Sequence, residues 1–345
     1  MMVPFGSMPP WMAATPAEVV WTRRSVRLLR YRFPEGVRRS AGVPLLLIPS
    51  MINRHYVMDL MTGHSLVEHL LHQGLAVYLV DWGRAADEDR YLDFDYCIED
   101  LLGAAVLRAC RHAGVGSVSC LGYCMGGTMA AIYAALHPLR VANLINLAGP
   151  IDFTKGDALF QWTDARWFNP DLVVDALGNV PAALMQGSFS WLVPTSSAQK
   201  LLALAERGDD QQFMRLFTAI ERWTSDNVPF PGEAYRKYIR DLFQKNLLIK
   251  GEYEVHGQRV HLEDITCPVL VISARRDHIV PGPSAVPLAS ATGSRDATAV
   301  ELPGGHVGIV VGSGTSKHLW PTLDRWLLPR SRPEQPAVSP GEAAA

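Results

Sequence analysis

At 345 residues the chain can fill the core of one large α/β domain, and its length leaves room for a substantial insertion, which is the arrangement expected. A formal net charge of −2 gives no basic face for nucleic acid, and a charged share of only 19% leaves surface that can meet another protein or an apolar phase. The five cysteines, Cys97, Cys110, Cys120, Cys124 and Cys267, are odd in number and form no CxxC pair, which argues against a disulfide framework and structural zinc and suits a reducing compartment.

Residues 1–17 are rich in Pro and Met and are expected to be disordered. They lack the basic start and apolar core of a secretory signal, and no later apolar run approaches the roughly 20 residues of a membrane span. A cytoplasmic protein is therefore expected. From Val19 to Phe33, apolar residues interspersed with arginines predict an antiparallel hairpin with one wet face. The pattern then changes to short apolar, β-rich runs at 43–48, 75–80, 117–121, 141–147 and 269–273, which suit strands covered on both faces. Helical patterns separate the earlier ones, at His64–Gln73, at Tyr96–His112 with Gly114 as its C-cap, and at Met125–Leu136. This βαβα order predicts a mostly parallel sheet with right-handed crossovers and a ligand site outside the carboxyl ends of the strands.

The alternation stops after Asp152 and resumes near Cys267. So long a stretch cannot be a simple connection. It predicts helices at Ser197–Glu206, Gln211–Trp223 and Glu233–Gln244 and holds four of the nine tryptophans, Trp162, Trp167, Trp191 and Trp223. The expected division is a core of residues 18–151 and 264–329, a helical cap domain at 152–263 above the sheet edge, and a disordered tail at 330–345.

Leu121-Gly122-Tyr123-Cys124-Met125-Gly126-Gly127 fits the strand–turn–helix pattern G-x-S-x-G with cysteine in place of serine. A strained turn there needs small neighbours, and the partial positive charge of the helix start favours a thiolate. The bland reading, a small buried cysteine beside a glycine-rich helix start, is outweighed because partners follow in the right order. Asp277 comes after the strand at 269–273, and His306 sits in the glycine-flanked Gly304-Gly305-His306-Val307-Gly308. His306 would take the thiol proton and later activate a hydroxyl, while Asp277 would fix the imidazole or polarise that hydroxyl. His278, beside Asp277, is either a supporting residue or a packing one. Backbone N–H groups of Met125 and Ile52 are the candidate oxyanion donors. A cysteine here suits thioester exchange, in which an alcohol can then take the acyl group if water is kept out. No cofactor or metal is expected.

The phrase GYCMGG alone resembles dienelactone hydrolases, but those are small and nearly capless, with a much shorter interval than that from Cys124 to Asp277. From about Val43 to Trp326 the chain instead resembles polyhydroxyalkanoate synthases of the α/β-hydrolase superfamily, particularly the short catalytic subunits of the two-component (class III and IV) kinds. The matching segments are 52–60, Val77-Tyr-Leu-Val-Asp-Trp-Gly83, the elbow, Gly149-Pro-Ile-Asp-Phe153, Asp264-Ile-Thr-Cys-Pro-Val269, Asp277-His278, 304–308 and the stretch 233–246. The resemblance implies an acyltransferase that polymerises (R)-3-hydroxyacyl-CoA with release of CoA. Cys124 would be the acylated nucleophile, His306 its base and Asp277 an acid helping to activate the 3-hydroxyl. It also implies a place at the polyester granule surface, a homodimer and a second, non-catalytic synthase subunit. The chain departs from the two-component pattern at Met125, where those enzymes usually carry Gln, and lacks the long N-terminal domain of single-subunit synthases. The alternatives are a cysteine hydrolase on the same scaffold, such as a thioesterase or depolymerase, and a non-catalytic granule-associated protein.

Overall fold

An antiparallel hairpin opens the fold: β1 (Ala17–Arg23) pairs with β2 (Val26–Tyr31), Ala17 opposite Tyr31 and Arg23 opposite Val26. The computed structural model describes residues 8–38, 42–192 and 196–331. The apolar runs follow as β3 (Leu45–Ile48), β4 (Val77–Asp81), β5 (Val118–Tyr123), β6 (Val141–Leu147) and β7 (Val269–Ala274), buried at every position but Ala142, with β8 (Ala297–Leu302) at the far edge. They form one sheet in the order β1-β2-β4-β3-β5-β6-β7-β8. β2 runs antiparallel to β4, and all pairs from β4 to β8 are parallel. The mostly parallel α/β sheet expected from the alternating pattern is therefore present.

Helices cover both faces. α1 (Leu66–His72) starts at Ser65, whose hydroxyl accepts the Glu68 N–H at 2.9 Å. The single helix expected at 96–112 is a π-helical turn, Cys97–Leu102, leading into α2 (Gly103–Ala113), which ends on Gly114 in the left-handed conformation (φ 73°). α3 (Met125–Leu136) is buried from Met125 to Ala135, because it lies against the sheet and is apolar on every side.

Among the described residues, the stretch between β6 and β7 carries six α-helices: α4 (Asp157–Trp162), α5 (Pro170–Leu177), α6 (Ala182–Leu192), α7 (Ser196–Arg207), α8 (Gln211–Ser225) and α9 (Gly232–Lys237). α9 runs on into a π-helical turn, Tyr238–Gln244. The last three match the expected helices. α4–α6 were not predicted, since they are short and bounded by Gly156, Gly178 and Pro181, and α6 (AALMQGSFSWL) has no polar stripe to mark a face. α10 (Thr315–Arg330) closes the fold.

Both terminal expectations need correction at their inner ends. Residues 1–7 and 332–345 lie outside the described residues. From Met8 the chain is placed, and Met12 is 3% exposed and bridged to Met61. Thr15 gives its N–H and hydroxyl to the buried Asp59, at 3.2 and 2.7 Å. Burying a methionine and satisfying a buried carboxylate outweigh a Pro-rich composition here. Likewise Arg330 belongs to α10 and pairs with Asp296 at 2.7 Å.

α3 meets the sheet through glycines. A Cβ on Gly126 would collide with the carbonyl oxygen of Ile48, and one on Gly122 with the backbone of Gly126 and Gly127. Gly126→Ala is expected to destabilise the protein by about 2 kcal/mol or more, the cost of overpacking against rigid backbone. Gly116→Ala, where a Cβ meets nothing within 4 Å, is the control. Urea midpoints of the two variants check the difference.

Candidate active site

Cys124 stands alone between β5 and α3, at φ 58° and ψ −131°, a conformation few side-chain-bearing residues adopt and one that costs roughly 1–3 kcal/mol. Backbone bonds hold it there: its N–H donates to Leu147 O at 3.0 Å, and its carbonyl accepts the Gly127 N–H at 2.8 Å. The turn leaves the thiol half-buried at the first turn of α3, where unpaired N–H groups favour negative charge.

Asp277 and His306, 29 residues apart, meet in the loops after β7 and β8. The Asp277 side chain is fully covered. Its Oδ1 accepts the N–H groups of Ile279 and Val280 at 2.9 and 2.8 Å, and its Oδ2 lies 2.7 Å from His306 Nδ1. With Oδ1 it thus also ties down its own loop. With Nδ1 committed to Asp277, Nε2 is the nitrogen left for the thiol. Burial works against a charged ring, yet the Asp277 carboxylate and the Cys124 sulfur together outweigh it and push the His306 pKa up to about 10.

Tyr123 is a site residue the sequence did not single out. Its hydroxyl donates to His306 O at 3.1 Å, and its ring stacks on the imidazole at 5.1 Å between centroids. The residue before the nucleophile thereby sets the height of the base. His278, in contrast, is exposed and lines neither cavity at Cys124, so the structure does not bring it to the thiol.

Met125 N–H, at the first position of α3, has no acceptor within its own helix. Ile52 lies with Met125 and Cys124 on one cavity wall, in a loop fixed from two sides. On one side Trp82 Nε1 donates to Pro49 O at 2.9 Å, and His55 Nδ1 sits 2.8 Å from Asp81. Burial alone would raise Asp81, but His55, Arg27 and the Gly83 N–H hold it below the usual carboxylate range. On the other side Val228 N–H donates to Ile52 O at 3.2 Å and Asn53 Nδ2 to Asn227 at 2.5 Å. Asp81 and Trp82 were visible only as part of the motif 77–83.

Two cavities meet at Cys124. One, of about 140 Å³, is walled by aromatic side chains including Phe153, Phe230, Tyr238 and Phe243. The other, of about 370 Å³, has a mixed lining: His306 and polar groups such as Asn53, Gln186, Glu221 and Asn227 alternate with apolar ones such as Ile220 and Trp223. His306 borders the second and not the first. Such an arrangement can hold an apolar acyl group on sulfur while a polar co-reactant approaches from the side of the imidazole.

Comparison with known proteins bears on which chemistry this is. A family model described as the alpha/beta hydrolase fold matches residues 43–313, and one described as the poly-beta-hydroxybutyrate polymerase (PhaC) N-terminus matches residues 9–70. The poly(3-hydroxyalkanoate) polymerase subunit PhaC of Allochromatium vinosum is 36% identical over 92% of this chain and 89% of its own length. That of Synechocystis sp. is 34% identical over 92% and 85%. The Haloferax mediterranei protein of the same name is 35% identical, and this chain spans 64% of it. Among solved structures, Est1E from Butyrivibrio proteoclasticus superposes with a TM-score of 0.53 at 15% identity, covering 91% of this chain and 98% of that one. The thioesterase domain from the curacin biosynthetic pathway gives 0.51 at 12%, covering 90% and 99%. These two likenesses speak to the fold alone. With relatives above 30% identity matched along most of both chains, and the sheet order and elbow in place, the protein belongs to the PhaC family of poly(3-hydroxyalkanoate) polymerases, built on the α/β-hydrolase fold.

Proposed function

We propose that this protein is an acyltransferase that polymerises (R)-3-hydroxyacyl-CoA into a polyester with release of CoA, carrying the acyl group on Cys124. The observation that carries the reading is the position of Cys124: beside a histidine held by Asp277, at the junction of an aromatic and a mixed cavity. The Cys124 thiolate attacks the thioester carbonyl carbon, the bond to the CoA sulfur breaks, and that sulfur takes the proton from His306 Nε2. The Met125 N–H is the open donor for the oxyanion, and the Ile52 N–H, which reaches Ser50 Oγ at 3.5 Å, turns to it as the second. The 3-hydroxyl of the next monomer then gives its proton to Nε2. Its oxygen bonds to the acyl carbon, and the bond to Cys124 is released.

Asp277 acts through His306 in this scheme rather than on the 3-hydroxyl directly, since both its oxygens are engaged and its side chain is covered. The acyl group lies in the aromatic cavity, and the hydroxyl arrives from the mixed side, where His306 is. The stretch 152–263 serves as the cap, supplying Phe230, Tyr238 and Phe243 to the first cavity and Gln186, Glu221 and Asn227 to the second. Trp167, Trp191, Leu201 and Leu202 on the same stretch are 62–73% exposed, which supports a cytoplasmic enzyme working at the polyester granule surface. The relatives are named subunits, which supports a second synthase component, and a homodimer accords with the same exposed apolar side chains.

Purified protein given 3-hydroxybutyryl-CoA is expected to release CoA and form insoluble polymer, with Cys124→Ala slower by at least about 10³-fold. Free 3-hydroxybutyrate without polymer would establish the hydrolase instead, and turnover retained by Cys124→Ala would remove the nucleophile.

The His306 proton carries a stability signature. Its folded pKa of about 10 lies above the ordinary 6.5, so its stabilising contribution is full below pH 6.5 and is lost as pH rises through 10. The urea midpoint of the wild type is expected to fall more steeply between pH 7 and pH 10 than that of His306→Ala. Parallel pH profiles would contradict it.

A further inference from the structure

Besides Cys124, two side chains among the described residues border both cavities, Phe189 and Ile279. They come from segments far apart in the chain. Ile279 is fixed, its N–H donating to the same Asp277 carboxylate that orients the imidazole. Phe189 belongs to α6, which runs between the cavities: Met185 and Ser188 face the aromatic one, Gln186 and Ser190 the mixed one, and Phe189 lies on both. No residue of α6 is fully buried, and Met185 and Phe189 pack against the edge of the core rather than within it.

The reaction proposed above poses a selectivity problem that the triad cannot solve. Water and a 3-hydroxyl are the same kind of nucleophile to His306, and the cavity bordering His306, though largely apolar, carries enough polar groups, Asn53, Gln186, Glu221 and Asn227 among them, to hold water. A water molecule is retained where it finds two to four polar partners, and an aromatic ring and a branched aliphatic side chain offer none. A hydroxyl tethered to an acyl chain needs no such partners, because apolar contact carries it in.

Building on that reading, we infer that Phe189, together with Ile279, is a specificity-determining residue that keeps water off the acylated Cys124 so that the 3-hydroxyl deacylates it. Truncating the ring opens space beside Cys124, where the two cavities meet, and lets water stay next to the thioester. In the competing step the water oxygen bonds to the acyl carbon, the bond to the Cys124 sulfur breaks, and the proton passes through His306 to the sulfur as the free acid leaves.

The test uses the full chain as wild type, Phe189→Ala, Phe189→Leu and Ile279→Ala, with two thioesters. From 3-hydroxybutyryl-CoA, the free acid formed per CoA released is expected to rise about 10-fold or more in Phe189→Ala and Ile279→Ala, with shorter polymer, and to stay near wild type in Phe189→Leu. Butyryl-CoA lacks the 3-hydroxyl, so once the released CoA has been removed an acyl group on Cys124 can leave only to water. The decay of the acylated protein, followed by intact mass, is expected to quicken by the same factor in the two alanine variants. Free-acid shares and decay rates equal to wild type in an acylated Phe189→Ala would overturn the inference. So would a Phe189→Ala that takes up no acyl group, since the ring would then hold substrate rather than divide the cavities. A wild type that forms no acyl-Cys124 from 3-hydroxybutyryl-CoA would overturn the parent reading instead, which keeps the two failures apart.

Discussion

The closeness of α3 to the sheet governs the geometry of this site. Backbone meets backbone there, with the Ile48 carbonyl against Gly126 and the strand residue Gly122 against Gly126 and Gly127. Asn146 fills the remaining gap and locks the next turn, its amide donating to Gly149 O and its oxygen accepting Gly149 N–H at 3.0 and 2.9 Å. A helix seated this tightly leaves one residue in which to reverse direction from β5, and that residue takes a positive φ. The strained conformation is the means by which Cys124 stands clear of the turn with an open helix end beneath it.

Once that turn is set, the remaining groups are placed by bonds that each serve twice. Tyr123, the last residue of β5, supports the ring and the backbone of His306. Asp277 fastens its own loop with one oxygen and the imidazole with the other. The loop carrying Ile52 is tied to the sheet through Asp81 and to the cap through Asn227 and Val228. A charge buried with several partners is costly to disturb, so these ties make the site stiff.

How far the sequence reveals this depends on whether a feature is local. The buried strands are legible because an apolar run of five or six residues has few other uses, and the triad because this fold orders its members along the chain. Tyr123 was not legible as a support, since stacking on a residue 183 positions away leaves no local pattern. The two π-helical turns were read as ordinary helix. That difference matters at Tyr238–Gln244, where the wider turn brings residues five apart into line: the Tyr238 and Phe243 rings stand 5.5 Å apart on the cavity wall. α6 escaped prediction for the converse reason, because a helix with one face toward an aromatic cavity and the other toward a mixed one lacks the clean stripe of a core helix.

This last point explains how one catalytic arrangement can serve two outcomes. A thiol, an imidazole and a carboxylate in this geometry activate water and alcohol alike, so the triad fixes that an acyl group is transferred and leaves open to what. On that inference the choice falls to Phe189 and Ile279, which come from the stretch between β6 and β7 and from the loop after β7, outside the elbow. The esterase and the thioesterase domain superpose on this chain at low identity, a likeness of fold alone. In the proposed function the stretch between β6 and β7, which supplies aromatic side chains to one side of Cys124 and a mixed lining with polar groups to the other, is where a polymerase can be distinguished from a hydrolase.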